Sequence, residues 1–252
     1  ETRLGPKKIY DTLSAGAKSS IEIVATCAAA GIILGVIAQT GLGIKAALII
    51  FSYSKGILLL ALVFTMVIAV ILGMGLPTTA AYAISASVLA PGLIKMGVEP
   101  LAAHLFIFYF ACLSPLTPPM AVAAYAAAAI GKANFWDVGW LSVKFALAGF
   151  VVPYMFVYGP AMILKGAPWE IALALVTGLI GTLTLSAAVQ GYFLGLLGNA
   201  LRGVLLIISL LLLKPGWITD LIGLALLIGV VLLQVKTRRA SLAYAATRAQ
   251  GT

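Results

Sequence analysis

Two short stretches carry the residues best placed to do chemistry: Gly73-Met74-Gly75-Leu76-Pro77-Thr78-Thr79 and Ser114-Pro115-Leu116-Thr117-Pro118-Pro119. Each interrupts an apolar run. Proline has no N–H and clashes with the carbonyl four residues earlier. In a continuous helix Pro77 would free the carbonyl of Gly73, while Pro115, Pro118 and Pro119 would free those of Ala111, Ser114 and Pro115. A bare backbone group costs several kcal/mol in lipid. Such groups persist at membrane depth only where protein buries them or where they line a wet cavity. Hard cations take carbonyl and hydroxyl oxygens, so the backbone of Gly73, Ala111 and Ser114 forms a candidate Na⁺ site. Thr78, Thr79, Ser114 and Thr117 add hydroxyls at the same breaks. The breaks also restart helices. Thr117-Pro118 reads as an N-cap followed by Pro at N1, and Thr78 or Thr79 can cap the segment after Pro77. A restarted helix aims a positive dipole end at the midplane, where it suits a substrate carboxylate. The two breaks therefore offer carbonyls, hydroxyls and helix ends that a cation and a carboxylate could use. The plain alternative is an ordinary proline kink satisfied by neighbouring helices. Two breaks close together, each with hydroxyls, weigh against it.

Other polar residues read as structural. His104 is the only histidine and sits beside Phe106, Phe108 and Tyr109, which suits helix packing better than a proton relay. Lys18 and Glu22 form an i,i+4 pair at a span entrance, and Lys144 and Arg202 read as snorkelling cations. Cys27 and Cys112 lie in separate apolar stretches without metal-ligand spacing and read as small packed hydrophobes. Gly31-Ile32-Ile33-Leu34-Gly35 and Gly191-Tyr192-Phe193-Leu194-Gly195 are small-residue patterns that favour helix–helix packing. The sequence carries no HExxH, no phosphate-binding glycine loop and no paired intramembrane carboxylates. It reads as a non-enzyme without a resident cofactor, and any pumping must draw on an ion gradient.

The elements that must hold these breaks are membrane helices. Of 252 residues, 63% are hydrophobic and 9% charged, and the mean hydropathy is +1.15. Soluble domains are closer to a quarter charged, so this chain's solvent is the lipid bilayer. Several runs approach the roughly 20 residues a crossing needs. The net charge of +9 is spread along loops and span ends, with no basic patch that would mark a nucleic-acid partner. The fold class is all-α and polytopic, with a re-entrant helical hairpin and a broken transmembrane helix. The expected organisation is a basic cytoplasmic segment over 1–18 and a transporter repeat over 19–165. That repeat comprises a span at 19–38, a hairpin at 57–94 with its second arm ending at Pro91-Gly92, a broken span at 101–130 and a span at 138–164. A three-span region over 166–235 follows, with spans at 169–189, 192–213 and 217–235, then a disordered basic tail over 236–252. Counting 57–94 as a hairpin that returns to the outer side leaves nine basic residues inside and five outside. That agrees with the positive-inside bias, whereas two true crossings would put the basic tail on the wrong face.

With these residues in hand, the chain resembles the large permease subunit of the tripartite ATP-independent periplasmic (TRAP) transporters, most closely the C-terminal half of the fused-permease type. The resemblance rests on Gly73–Tyr82, Gly97-Val98-Glu99-Pro100 with Ala103-His104-Leu105-Phe106, Ser114–Pro119, and Pro153-Tyr154-Met155-Phe156-Val157-Tyr158-Gly159-Pro160, in that order. It covers about residues 9–165 and implies the second inverted repeat of an elevator-type, Na⁺-coupled importer of organic acids, in which the hairpin tip and the broken helix hold cation and substrate, roles that fall here on Gly73, Gly75, Pro77, Thr78, Thr79, Ser114, Thr117 and Pro118. A soluble periplasmic binding protein would deliver the substrate, and a small membrane subunit or its fused equivalent would complete the permease. The implied location is a bacterial or archaeal inner membrane. The chain starts Glu1-Thr2-Arg3 without a Met and carries one repeat, so it reads as part of a longer frame whose N-terminal half supplies the rest of the site. A channel, or an accessory scaffold subunit without its own transport site, is the alternative.

Overall fold

A computed structural model describes residues 5–214 and 216–249. Arg3, Glu22 of the Lys18/Glu22 pair and the tail cations Arg238, Arg239 and Arg248 fall outside the described residues or side chains. Every regular element among the described residues is a helix, and Tyr192 and Leu196 form an isolated bridge. The protein is an all-α, polytopic membrane protein. Phe135–Tyr158, Pro168–Gln190 and Trp217–Lys236 are long and apolar enough to cross a membrane, and shorter apolar helices accompany them. The chain divides into two compact units, residues 1–132 and 133–252.

The first unit begins with α1 (Pro6–Thr40), which has Pro at its first position and ends where Gly41 turns left-handed at φ 65°. The helix therefore takes in most of the basic segment expected over 1–18 as well as the span expected from residue 19. Lys7, Lys8, Asp11 and Lys18 are polar, but nothing among them breaks a helix, and Thr12 and Ser20 bond back to the carbonyls of Lys8 and Gly16. Two further helices follow, α2 (Leu42–Ser54) and α3 (Leu58–Gly73). The chain turns at Met74–Pro77 into α4 (Thr78–Lys95), so α3 and α4 form a helical hairpin. Against expectation, Pro91 does not end the second arm, and α4 runs through it to Lys95. Pro91 leaves the carbonyl of Ser87 without its i+4 donor. Gly43 of α2 lies directly against that carbonyl, where a Cβ would come within 2.6 Å of it. Close backbone approach by α2 thus covers the flaw. Next, α5 (Pro100–Leu113) starts on Glu99, whose side chain accepts from the Ala102 N–H at 2.9 Å. After a 3₁₀ turn at Ser114–Leu116 and an irregular stretch, α6 (Val122–Gly131) closes the unit. The hairpin arm α4 is central and packs on α1, α2, α3 and α5. Leu62, Leu89, Leu93, Phe106 and Phe110 are its large buried side chains.

The second unit contains α7 (Phe135–Tyr158), α8 (Pro168–Gln190), α9 (Asn199–Leu213) and α10 (Trp217–Ala249), with a 3₁₀ turn at Pro160–Ile163. Successive helices pack on one another. Leu212 of α9 seats between Gly181 of α8 and Gly223 of α10; a Cβ on either glycine would come within 3.1 Å or 2.8 Å of its side chain. Two expectations are corrected here. No helix begins at residue 192: Gly191 is left-handed at φ 77°, its carbonyl accepts from the Leu197 N–H at 2.9 Å, and α9 starts only after Gly198. Gly191 and Gly195 therefore sit in a turn and make no helix–helix seam. At the other end, α10 continues as helix to Ala249 where a disordered tail was expected from residue 236. At the other small-residue pattern, a Cβ on Gly31 or Gly35 would meet nothing within 4 Å among the described residues.

Arg202 does not snorkel. Its Nε donates to the Ala188 carbonyl at 2.9 Å and its Nη2 to the Val189 carbonyl at 3.0 Å, closing the C-terminus of α8. A cation there also meets the negative end of the helix dipole. Replacing Arg202 with Met keeps the stem and removes two charge-assisted bonds. That change is expected to cost about 2–4 kcal/mol, read as a lowered unfolding temperature in detergent; melting equal to wild type would remove this role.

Candidate functional site

The two sequence breaks lie in the first unit, and the structure brings them together. The hairpin tip is a tight turn: the Met74 N–H donates to the Ile71 carbonyl at 3.2 Å and the Leu76 N–H to the Gly73 carbonyl at 3.3 Å. Gly75 sits at φ 73°, a left-handed conformation that favours glycine. Pro77 then enters α4, and its carbonyl accepts from the Ala81 N–H at 2.9 Å. Gly73 packs against Ser114 so closely that a Cβ would lie 2.6 Å from Ser114 Oγ and 2.9 Å from its Cβ. A Cβ on Gly75 would meet Met120 Cε at 3.2 Å. The tip of one broken segment is therefore seated on the break of the other. The third element there is α1: Cys27 Sγ lies 3.7 Å from Thr79 Oγ1, and Ala30, Leu34 and Ile37 pack with Leu76, Ala80 and Ile84.

Gly73, Ala111 and Ser114 are buried, Pro77, Thr78, Thr117 and Pro118 are half-buried, and Gly75 and Thr79 are exposed. Three of the four expected stranded carbonyls accept one hydrogen bond each. Gly73 O accepts from Leu76 N–H, Ala111 O from Ser114 Oγ at 3.0 Å, and Ser114 O from Thr117 N–H at 3.0 Å. Each carbonyl has two lone pairs, so one remains on each. Ser114 and Thr117 use their hydroxyl protons on carbonyls behind them, Thr117 Oγ1 reaching Leu113 O at 3.0 Å. With the proton committed, each hydroxyl can offer only lone pairs to a ligand. An oxygen set of this kind suits a cation.

Two helix starts differ from expectation. Thr117 does not cap the restarted helix. The chain continues through a cis Pro118–Pro119 bond, and α6 begins at Val122 after Ala121, which is fully buried and left-handed at φ 31°. A residue that precedes a proline is held out of the helical region; Thr117 is extended accordingly (φ −102°, ψ 124°), Pro118 also precedes a proline, and the restart waits until the run is past. At the hairpin, Pro77 occupies the cap position and no side chain caps α4. The dipole end of α4 is at the tip as expected, but its first N–H groups are not occupied by a threonine.

Further polar residues went unseen in the sequence. Thr65 of α3 and Ser85 of α4 are fully buried, and their hydroxyls have no hydrogen-bond partner. They stand roughly two turns from the tip on its two arms. The signal was present as hydroxyls inside apolar runs, but pairing them needs the hairpin. His104 bonds Tyr82 Oη through Nδ1 at 3.0 Å, and Tyr82 packs edge-on against Phe108 with ring centroids 5.4 Å apart. That joins α4 to α5, as a packing histidine would.

A family model, described as "Tripartite ATP-independent periplasmic transporter, DctM component", matches residues 1–165. No curated protein and no solved structure matches the chain.

Proposed function

The chain belongs to the DctM component family of tripartite ATP-independent periplasmic transporters, and on that premise we propose that it is the permease part of a Na⁺-coupled importer of organic acids. The carrying observation is the seating of Gly73 on Ser114, which gathers oxygens from two broken segments at one place. The cation is held by the spare lone pairs of Gly73, Ala111 and Ser114 carbonyls and by the hydroxyls of Ser114 and Thr117. The substrate carboxylate meets the N-terminal end of α4, where Thr78 and Thr79 stand and the helix dipole is positive. The hairpin α3–α4 is re-entrant and α5–α6 is the broken crossing helix. Gly75 and Pro77 shape the tip, and Pro118 shapes the break. A periplasmic binding protein delivers the substrate, while a small membrane subunit or its fused equivalent and the N-terminal half of the permease complete the machine in an inner membrane.

The test is uptake of a radiolabelled carboxylate into proteoliposomes holding the complete permease. A Na⁺ gradient together with the binding protein is expected to drive accumulation, and a K⁺ gradient of equal size is not. Equilibration without binding protein or gradient would indicate a channel and overturn this reading. A scaffold without its own site would transport nothing that changes at Gly73, Ser114 or Thr117 affect.

A further inference from the structure

At one end of the second unit lies a partly open cavity of about 280 Å³. The C-termini of α7 and α9 and the N-termini of α8 and α10 meet there. Its walls are mainly apolar, with Met155, Met162 and Leu173 among them, and Trp169 and Trp217 stand at its edge. Asp220 also lines it. That carboxylate is only 5% exposed, and its Oδ1 has no hydrogen-bond partner. The neighbouring acid, Glu170, is already engaged, because its Oε2 accepts from the Ala167 N–H at 3.0 Å. Lys165 is the cation among the lining residues.

A buried carboxylate with an unmet oxygen costs free energy unless something cationic approaches it. A hard inorganic cation asks for six or so oxygens, and among the described residues no three acidic, histidine or cysteine side chains gather to hold a metal ion. An organic ammonium fits better: its charge or N–H groups face the carboxylate, and its carbon substituents and diffuse charge suit apolar and aromatic walls. The two tryptophans, 65% and 66% exposed, lie at a bundle end, the level at which membrane tryptophans meet headgroups.

We propose that this cavity binds an organic ammonium group, with Asp220 as its counter-ion and Trp169 and Trp217 as its aromatic walls. Such a group is carried by the headgroup of an amine-bearing lipid or by a soluble amine. The site shares no residue with the Gly73–Ser114 contact, and the proposal does not depend on the transport reading.

The experiment uses the whole chain, purified in detergent. In one arm it is offered phosphatidylethanolamine or phosphatidylglycerol, and retained lipid is counted by native mass spectrometry. In the other arm choline chloride is titrated while tryptophan fluorescence is followed. A lipid site retains phosphatidylethanolamine over phosphatidylglycerol, and a soluble-amine site gives saturable quenching by choline. In whichever arm binds, Asp220→Asn is expected to weaken binding about tenfold or more without lowering the unfolding temperature. If Asp220→Asn melts early, Trp217→Leu takes its place with the same expectation. Equal binding by wild type and variant in both arms overturns the proposal, as does phosphatidylglycerol retained as well as phosphatidylethanolamine together with no saturable response to choline.

Discussion

Gly73→Ala in the complete permease is expected to reduce Na⁺-driven uptake by about tenfold or more, although the change adds one methyl group. That methyl would sit 2.6 Å from Ser114 Oγ and 2.9 Å from Ser114 Cβ, well inside contact distance. Ser114 cannot simply turn away, because it is fully buried and its hydroxyl is bonded to Ala111 O. Forcing an extra methyl group into a packed site typically costs about 1–3 kcal/mol. The cheapest relief is to move the hairpin tip off the break, and each 1.4 kcal/mol is about a factor of ten in population. Gly73 itself is helical, so alanine strains no backbone there; the penalty is the contact alone. This makes the prediction separable. Combining Gly73→Ala with Ser114→Gly removes the clashing side chain and is expected to restore the unfolding temperature lost in Gly73→Ala. Wild-type uptake by Gly73→Ala would break the link between the seated tip and transport.

The second large effect is expected from the hydroxyls. Thr117→Val keeps the β-branched shape and removes Oγ1, and Ser114→Ala does the same for the smaller side chain. Each loses one hydrogen bond to a carbonyl behind it, worth about 1 kcal/mol. A purely structural role would lower stability and the maximal rate together and leave the Na⁺ concentration for half-maximal uptake unchanged. A ligand role shifts that concentration upward, by about tenfold for each oxygen lost if one good contact is worth about 1.4 kcal/mol. Uptake measured across a Na⁺ series at saturating substrate separates the two. A half-maximal Na⁺ concentration unchanged in both variants would remove Ser114 and Thr117 from the cation site. Thr78→Ala, at the other break, is expected to act on substrate half-saturation before Na⁺, because it stands at the dipole end of α4.

Much of this was legible in local sequence. Proline and glycine act on their own few residues, so the breaks at Gly73–Thr79 and Ser114–Pro119 could be placed without any tertiary information, and hydropathy alone identified the solvent as lipid. The reading erred where a local rule was blind to a neighbour. Pro91 looked like a helix end, but α4 continues because Gly43 of another helix comes up against the carbonyl that Pro91 leaves open. Thr117 looked like a cap, yet its hydroxyl bonds backward to Leu113 O and the helix restarts after Ala121. Arg202 looked like a cation reaching for headgroups, and instead it closes a helix twelve or more residues away in the chain.

By itself the sequence determined the class of the molecule, the family, and which residues have backbone groups that cannot be satisfied in a regular helix. Those properties depend on composition and on interactions within about four residues. Only the tertiary structure decided that Gly73 lies on Ser114 and that Asp220 faces a cavity without a partner for Oδ1. Such pairings join residues tens of positions apart, and they follow from how whole helices pack, which no local spacing encodes.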